Sequence, residues 1–184
     1  SSVYIDSSPK VTKKIFDLNI PILGICYGMQ IICKQLNGQV NKTYSREFGK
    51  ANIIVTKNDI IFHNVLKKGQ KSQVWMSHGD EVVNLPPGFK KIAQTNENNI
   101  AAISNKEKKI YGFQFHPEVV QSIKGKALIK NFIINISNIK PNWKIEDFLR
   151  TQIKSIKSFT KNGYVVCGLS GGVDSSVTAA LINK

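Results

Sequence analysis

The sequence predicts an α/β protein, with helices flanking a mostly parallel sheet, followed by the first strand, loop and helix of a second α/β unit. Two observations lead to this prediction. Apolar runs with the spacing of strands lie between segments with the spacing of helices. Near the C-terminal end, another apolar run enters a glycine-rich turn that opens a helix. A polar break at 138–141 separates the two patterns, so we predict one domain over residues 1–138 and a second over 139–184.

The N-terminal segment predicts a helix, a short buried strand and a second helix. Residues 10–18 have helical spacing, and Pro21 ends that pattern. The apolar run 22–25 is typical of a buried strand, and residues 29–36 return to helical spacing. Cys26 therefore lies on the turn between a strand and a helix.

The middle of the chain predicts short strands separated by turn residues. The extended segments are 51–55, 73–76, 91–95, 100–104 and 110–115. An amphipathic helix follows over residues 122–136. Strands with helices on both sides of them in the chain are the basis of the α/β prediction.

The C-terminal segment predicts a helix, a buried strand and the start of another helix. Asn142 can cap a helix that runs to about Phe159. Residues 164–169 form an apolar run, which predicts a buried strand that includes Cys167. The turn 170–172 is rich in glycine and opens the last helix.

Composition narrows the classes of function. The formal net charge of the 184 residues is +14, but only Arg46 and Arg150 are arginines. Specific nucleic-acid sites favour the planar guanidinium of arginine. The lysines here are scattered, so we attribute the charge to a general bias toward Lys, Ile and Asn and predict no nucleic-acid partner. No apolar run approaches the ~20 residues of a membrane span, so we predict no membrane association.

The three cysteines and the first residues bear on the setting of the protein. Three cysteines without a CxxC pair argue against a disulfide framework or a zinc site and favour a reducing cytoplasm. The chain starts with Ser1 rather than Met and has no signal-peptide pattern. We therefore expect a cytoplasmic protein and a chain that is a fragment or a processed product.

Cys26 is a candidate nucleophile. Gly24, Cys26 and Gly28 form a glycine–x–nucleophile–x–glycine pattern on the predicted strand-to-helix turn. Such a turn strains the backbone of the nucleophile and projects its side chain beyond the sheet, where the helix N-terminus favours a thiolate. The N–H of Tyr27 is the natural donor to an oxyanion. The alternative is a cysteine that is merely a small buried residue.

His116 and Glu118 are candidates for the base and for the group that orients it. His116 ends a predicted strand, and Glu118 follows two residues later, so both side chains can face one site. The alternative is a solvent-facing pair at a strand exit. His63 and His78 are rival bases, but neither has a carboxylate at matching spacing after a buried strand.

These motifs resemble those of class I glutamine amidotransferases. The segment 24–30, GICYGMQ, resembles the nucleophile motif of that family, and the segment 115–119, FHPEV, resembles its His–Glu motif. The resemblance implies that Cys26 hydrolyses the side-chain amide of glutamine through a thioester and releases ammonia. It further implies that Tyr27 serves the oxyanion and that Gln30 helps to bind glutamine. The segment 74–80 resembles the loop that holds the amino-acid end of the substrate, which assigns Ser77, His78 and Asp80 to that role.

A second motif follows the predicted strand at 164–169. It consists of Ser170, Gly171, Gly172, Val173, Asp174, Ser175 and Ser176. Backbone N–H groups and hydroxyls can converge on a phosphate at such a helix start. The sequence SGGVDSS resembles the PP-loop of ATP pyrophosphatases, which implies that it binds the pyrophosphate part of ATP, with adenine-nucleotide α-hydrolase-like topology. The alternative is an ordinary Gly/Ser turn.

The pair of motifs resembles a narrower family, the glutamine-hydrolysing synthetases that aminate xanthosine monophosphate (XMP). Residues 46–49 and 27–29 fit that family better than other class I members. The resemblance implies that XMP is adenylylated with ATP and Mg²⁺ and that ammonia then yields guanosine monophosphate, with glutamine, ATP and XMP as substrates. It also implies a homodimer and no prosthetic group or resident metal.

Two rival interpretations stay open. One is another class I amidotransferase, and the other is a non-catalytic interaction module with a glutaminase fold. The family resembled has an additional N-terminal strand, helix and loop, and a longer synthetase domain. We therefore expect that residues 1–184 alone do not complete the reaction.

Overall fold

The computed structural model describes residues 2–5, 7–161 and 163–183, without the side chains of 43–46. It divides into two compact units, Ser1–Ile139 and Lys140–Lys184. The division by contacts falls within one residue of the boundary that we predict after residue 138, and that boundary stays a prediction. The side chain of Arg46, which contributes to the resemblance of residues 46–49, lies outside the described residues.

The first unit consists of one sheet with helices on both of its faces. In chain order it contains a 3₁₀ turn Lys13–Asp17, β1 Ile22–Ile25, α1 Tyr27–Gln35, β2 Gln39–Val55, a 3₁₀ turn Ile60–Phe62, β3 Lys71–Asn84, β4 Lys90–Thr95, β5 Ile100–Asn105, β6 Ile110–Phe113 and α2 Gly125–Asn131, which continues into a π-helical turn Phe132–Ile136. Across the described part of the chain, no helix has both the length and the apolar character needed to cross a membrane.

Among the described residues, six strands form a mixed sheet in the order β1-β6-β5-β4-β2-β3. The α/β class is confirmed, but the sheet is not mostly parallel. Within it, β1 and β6 pair in parallel, and the other pairings are antiparallel. Connections of four or five residues join β3 to β4, β4 to β5 and β5 to β6, whereas residues 56–70 join β2 to β3. A parallel pair needs a crossover of a dozen or more residues. The strands β4, β5 and β6 therefore form a meander, whereas β3 lies outside β2 and the chain passes β2 to reach β4.

The core lies on both faces of this sheet. Neighbouring residues of β5 illustrate it, since Ile103 packs with Met29 and Cys33 of α1, whereas Ala102 packs in the cluster that contains Leu128 of α2. This alternation follows from the two-residue period of strands. The sheet is therefore fixed from both sides, which holds its strand ends in place.

The two glycines that flank Cys26 differ in their surroundings. A Cβ at Gly24 would lie 2.5 Å from Cδ1 of Ile32 and 2.7 Å from the backbone carbon of Gly28, whereas a Cβ at Gly28 would meet nothing within 4 Å. Gly24 thus permits α1 to pack closely on β1. The structure assigns the steric role of the nucleophile turn to Gly24 alone.

We predict that Gly24→Ala lowers the free energy of unfolding by about 1–3 kcal/mol, because the new methyl group overlaps backbone atoms. Gly28→Ala is the matched control, and it leaves stability unchanged or raises it by up to ~1 kcal/mol, because alanine is favoured over glycine in a helix. Denaturant titration of both variants measures the difference. Equal effects of the two substitutions would contradict the packing role of Gly24.

The second unit contains two helices, α3 Ile145–Thr160 and α4 Val173–Ile182, which contact each other. Both helices lie close to their predicted positions, but α3 begins at Ile145 with Lys144 at its N-cap, so the predicted cap by Asn142 is wrong. The buried strand predicted over 164–169 is wrong: this segment is exposed and carries no strand, and Cys167 is exposed with it. An isolated extended segment has no partner for its backbone hydrogen bonds, so apolar composition alone does not make it a strand.

Candidate active site

Two adjacent parallel strands bring the candidate catalytic residues to one edge of the sheet. Ile25 of β1 pairs with Phe113 of β6, and the N–H of Cys26 donates to the carbonyl of Phe113 at 2.7 Å. His116 follows the end of β6 by three residues. Cys26 and His116 both line a cavity of about 290 Å³, and the segment 77–80 of β3 lines the same cavity.

The backbone of Cys26 is in the left-handed region, with φ of +49°. This conformation costs about 1–3 kcal/mol for a residue other than glycine and is typical of functional sites. Cys26 precedes α1 directly, and its carbonyl accepts from the N–H groups of Met29 and Gln30 at 3.1 and 3.3 Å. The sharp strand-to-helix turn predicted from the glycine pattern is therefore present.

Cys26 is 9 % exposed. Burial raises the pKa of this thiol above its ordinary value, and the negative charge of Glu118 raises it further. A backbone hydrogen bond from Tyr27 and a 3.8 Å contact from Nε2 of Gln114 act in the opposite direction. The thiol also lies 3.5 Å from the carbonyl of Ser77. Since burial is the largest cause, the neutral thiol prevails at neutral pH, and it needs a base to become a nucleophile.

His116 has the carboxylate that a catalytic base needs. Its Nδ1 lies 2.7 Å from Oε1 of Glu118. A carboxylate only accepts, so Nδ1 carries the proton and Nε2 keeps its lone pair. Pairs of this kind at 2.7 Å fix both the tautomer and the orientation of the imidazole.

Ser122 holds the backbone at His116 and was missed by the sequence reasoning. Its hydroxyl donates to the carbonyl of His116 at 2.6 Å and accepts from the N–H of Trp75 at 3.0 Å. The N–H of His116 in turn donates to the carbonyl of Trp75 at 2.9 Å. The sequence predicts that Ser122 lies in a helix, whereas α2 begins at Gly125. The helical spacing of this segment therefore gave no indication that Ser122 bonds the backbone at His116.

Gln30 is buried behind the nucleophile, where its amide joins two segments. Its Nε2 donates to the carbonyl of Asp80 at 2.8 Å and approaches Oε1 of Gln114 at 3.4 Å. Asp80 is also buried, and within the described part of the protein its Oδ2 has no hydrogen-bond partner. Both residues line the cavity. A buried carboxylate oxygen without a partner is costly, so the cavity favours a ligand that donates hydrogen bonds.

His78 is hydrogen-bonded within the protein at both ring nitrogens. Nδ1 lies 3.0 Å from the carbonyl of Asp80, and Nε2 lies 3.2 Å from Oε2 of Glu47. The hydrogen bond with His78 lowers the pKa of Glu47, as does a 2.9 Å bond from Asn99. Because both ring nitrogens already have partners, the backbone of His78, rather than its side chain, is available for the predicted contact with glutamine. The other rival base, His63, lines a different cavity of about 410 Å³.

The glycine-rich motif of the second unit forms a compact turn at the start of α4. The hydroxyls of Ser175 and Ser176 bond the carbonyl of Gly172 at 3.0 and 2.9 Å. The Ser170 hydroxyl lies 3.1 Å from that of Ser175, and Gly171 has φ of +79°. Val173 and Asp174 form the first turn of the helix. Among the described residues no cluster of His, Cys, Asp and Glu suited to a metal ion occurs.

Comparison with known proteins matches the two units to two families. The family described as glutamine amidotransferase class-I matches residues 1–136, and the family described as NAD synthase matches residues 142–184. The chain is 48% identical over all 184 residues to a protein of Brachyspira hyodysenteriae named GMP synthase [glutamine-hydrolyzing]. It is 45% identical over the same length to a protein of that name from Clostridium botulinum.

The chain spans 35% and 36% of the lengths of these two relatives. A candidate GMP synthase subunit from Thermoplasma acidophilum, whose structure is solved, is 36% identical, with a TM-score of 0.63 over 68% of this chain and 61% of that one. A glutamine amidotransferase from Thermotoga maritima shares the fold at 21% identity, with a TM-score of 0.52 over 94% of this chain and 66% of that one.

Proposed function

Since this chain belongs to the class I glutamine amidotransferase family, we propose that its first unit hydrolyses the side-chain amide of glutamine and releases ammonia. The observation that carries this proposal is the placement of Cys26 and His116 on one cavity, with Glu118 bonded to His116 at 2.7 Å. Nucleophile, base and orienting carboxylate are the three parts that acyl transfer requires.

The proposed reaction follows from the protonation states at the site. Nε2 of His116 takes the proton of the Cys26 thiol as the sulfur attacks the amide carbon of glutamine. The N–H of Tyr27 donates to the oxyanion that forms. His116 then gives its proton to the departing nitrogen, which leaves as ammonia, and a thioester remains on Cys26. Water, activated by His116, releases glutamate and restores the thiol.

We further propose that Gln30, Ser77, His78 and Asp80 hold the amino-acid end of glutamine. The unpartnered, buried Oδ2 of Asp80 is suited to accept from the α-ammonium group of an amino acid. Gln30 contributes by bonding the carbonyl of Asp80, which fixes this segment of the cavity wall. Ser77 and His78 contribute through their backbone on the same wall.

For the second unit we propose that the turn 170–176 binds ATP, as its Mg²⁺ complex, at the pyrophosphate part. The supporting observations are the hydroxyls of Ser170, Ser175 and Ser176 grouped at the start of α4 and the match of residues 142–184 to the NAD synthase family. Hydroxyl and carboxylate oxygens, including that of Asp174, suit Mg²⁺. No prosthetic group is needed for this chemistry.

The two units together lead to a proposal for the full-length gene product: it is a cytoplasmic, homodimeric ligase that makes guanosine monophosphate (GMP). ATP adenylylates XMP and releases pyrophosphate, and ammonia from glutamine then displaces AMP. The 48% identity to a glutamine-hydrolysing GMP synthase supports this choice. Another class I amidotransferase, the first rival, would share residues 1–136 but not the second motif. A non-catalytic module, the second rival, would not need the bond between His116 and Glu118.

The test is an assay of the full-length gene product with XMP, ATP, Mg²⁺ and glutamine. We expect GMP, AMP, pyrophosphate and glutamate in equal amounts. Glutamate production coupled to a different acceptor would favour another amidotransferase, and absence of glutamate would favour the interaction module. Residues 1–184 expressed alone serve as the second arm, and GMP formation by that piece would contradict our expectation that it does not complete the reaction.

A further inference from the structure

We propose that Glu47 is a positioning residue for glutamine binding: its carboxylate holds His78 as an imidazolium, and the imidazolium fixes the Asp80 segment that faces the cavity. This inference rests on the proposed glutaminase function. Glu47 belongs to β2 and does not line the cavity that contains Cys26. Its effect on that cavity therefore passes through His78.

The ionisation of His78 follows from its two hydrogen-bond partners. The carbonyl oxygen of Asp80 and the carboxylate of Glu47 lie at 3.0 and 3.2 Å from the two ring nitrogens. Both partners only accept hydrogen bonds, whereas a neutral imidazole carries a single N–H. In a neutral His78, one ring nitrogen would therefore have a lone pair that faces an acceptor oxygen, and the two would repel. Protons on both nitrogens satisfy both contacts.

Glu47 is held as the anion of this pair. Asn99 donates to Oε1 at 2.9 Å while His78 takes Oε2 at 3.2 Å, so both carboxylate oxygens accept. Asn99 is itself fixed in the turn between β4 and β5, where its N–H and carbonyl bond the hydroxyl and N–H of Thr95. The side chains of His78 and Glu47 are only 4% and 17% exposed, so water screens the pair weakly.

The register of the sheet gives the pair its place. Glu47 of β2 is the direct partner of His78 of β3, and Lys42 is the partner of Asp80. Four residues of β2 thus oppose the single residue Gly79, which makes an enlarged bulge. Backbone pairing is interrupted there, at the wall of the cavity, so the side-chain bonds of His78 replace the missing ladder.

The carbonyl of Asp80 is where the network meets the cavity. It accepts from Nδ1 of His78 at 3.0 Å and from Nε2 of Gln30 at 2.8 Å. Two donors, one of them charged, fix this peptide group from both sides of the chain. The backbone of Asp80, a residue that lines the cavity and whose buried Oδ2 has no partner among the described residues, is thereby held in place.

The kinetic test uses the full-length gene product with Glu47→Ala, Glu47→Gln and, as a matched control, Glu97→Gln. Glu97 is an exposed carboxylate in the same turn as Asn99. We expect Glu47→Ala to raise the KM for glutamine by roughly 10- to 100-fold, the range in which loss of a supporting hydrogen-bond partner weakens metal sites. The rate with ammonia should not change. Glu47→Gln should recover most of the loss, because its amide can donate to Nε2 of a neutral His78 while Nδ1–H still bonds Asp80.

A second substrate separates positioning from general damage. Glutaramate is glutamine without its α-amino group, so it cannot use the Asp80 carboxylate. We expect the wild type to have a much higher kcat/KM for glutamine than for glutaramate. In Glu47→Ala this ratio should fall by about the factor by which the KM for glutamine rises. An unchanged preference together with an unchanged KM would overturn the inference.

Nitrogen-15 NMR of the His78 side chain supplies a readout that needs no turnover. In the wild type both ring nitrogens should show imidazolium shifts, and in Glu47→Gln the ring should be neutral with the proton on Nδ1. A neutral ring in the wild type would overturn the inference even if Glu47→Ala fails to fold. If Cys26→Ala retains the glutamine-driven reaction, the proposed function itself fails. If Cys26→Ala loses that reaction but Glu47→Ala has the wild-type KM for glutamine, only the role of Glu47 is overturned.

Discussion

Cys26→Ala is expected to abolish GMP formation from glutamine and to leave GMP formation from ammonia intact in the full-length gene product. The glutamine-driven rate should fall by roughly 10⁴-fold or more, the order of loss that follows removal of a catalytic nucleophile. Ammonia bypasses Cys26, because it reaches the adenylylated substrate without a thioester. Rates of AMP and GMP formation with each nitrogen source measure both effects.

Cys33→Ala is the control for this experiment. Cys33 lies in the same helix, α1, and is fully buried, and burial raises the pKa of its thiol to about 12. It therefore stays protonated and unreactive, and we expect its variant to keep glutamine-driven activity apart from a modest loss of stability. If Cys26→Ala removes both the glutamine-driven and the ammonia-driven rates, Cys26 is a structural residue and its assignment as nucleophile is wrong.

The positions of Cys26 and His116 could be predicted from sequence because both follow from local rules. An apolar run with a glycine-flanked turn places Cys26 after a strand, and a second apolar run places His116 after another. The pairing of β1 with β6 then brings the two to one edge, and that pairing is a long-range event. The resemblance to a family, rather than periodicity, linked the two motifs in advance.

The partners that orient the site could not be predicted in the same way. Glu47 and His78 are separated by 31 residues and meet only through the bulged register of β2 and β3. Ser122 bridges His116 and Trp75 across a segment whose composition resembles a helix. Such contacts depend on strand register, and a shift of one residue would reverse every side chain.

The sheet direction and the segment 164–169 show a second limit. Apolar alternation predicts that a strand exists but does not state its partner or its direction. The lengths of the connections do carry part of that information: the connections from β3 to β4, β4 to β5 and β5 to β6 are four or five residues long, too short for parallel crossovers. The segment 164–169 has the composition of a strand without a pairing partner in the described structure, and it stays exposed.

Glu118→Gln is expected to lower the glutamine-driven kcat by roughly 10²- to 10⁴-fold, because the amide no longer keeps the proton on Nδ1 of His116. A glutamine side chain can donate to Nδ1, and the ring then carries its proton on Nε2, where it cannot take the thiol proton. His116→Ala should show a loss of similar size, and the double variant should lose little more, since the two residues act as a unit. Exposed Glu107 provides the control Glu107→Gln, which should match the wild type.

Glu118→Gln is also expected to increase the reactivity of the Cys26 thiol, although it lowers the turnover of glutamine. Burial raises the pKa of the Cys26 thiol, and the negative charge of Glu118 raises it further. Removing that charge lowers the pKa, so more thiolate forms near neutral pH and Cys26 reacts faster with iodoacetamide. Mass spectrometry distinguishes modified Cys26 from exposed Cys167. Disorder of the site would also expose this buried thiol, so the comparison requires that Glu118→Gln unfolds at the same denaturant concentration as the wild type. Slower alkylation of Cys26 in this variant would contradict the expected effect of the Glu118 charge on the thiol.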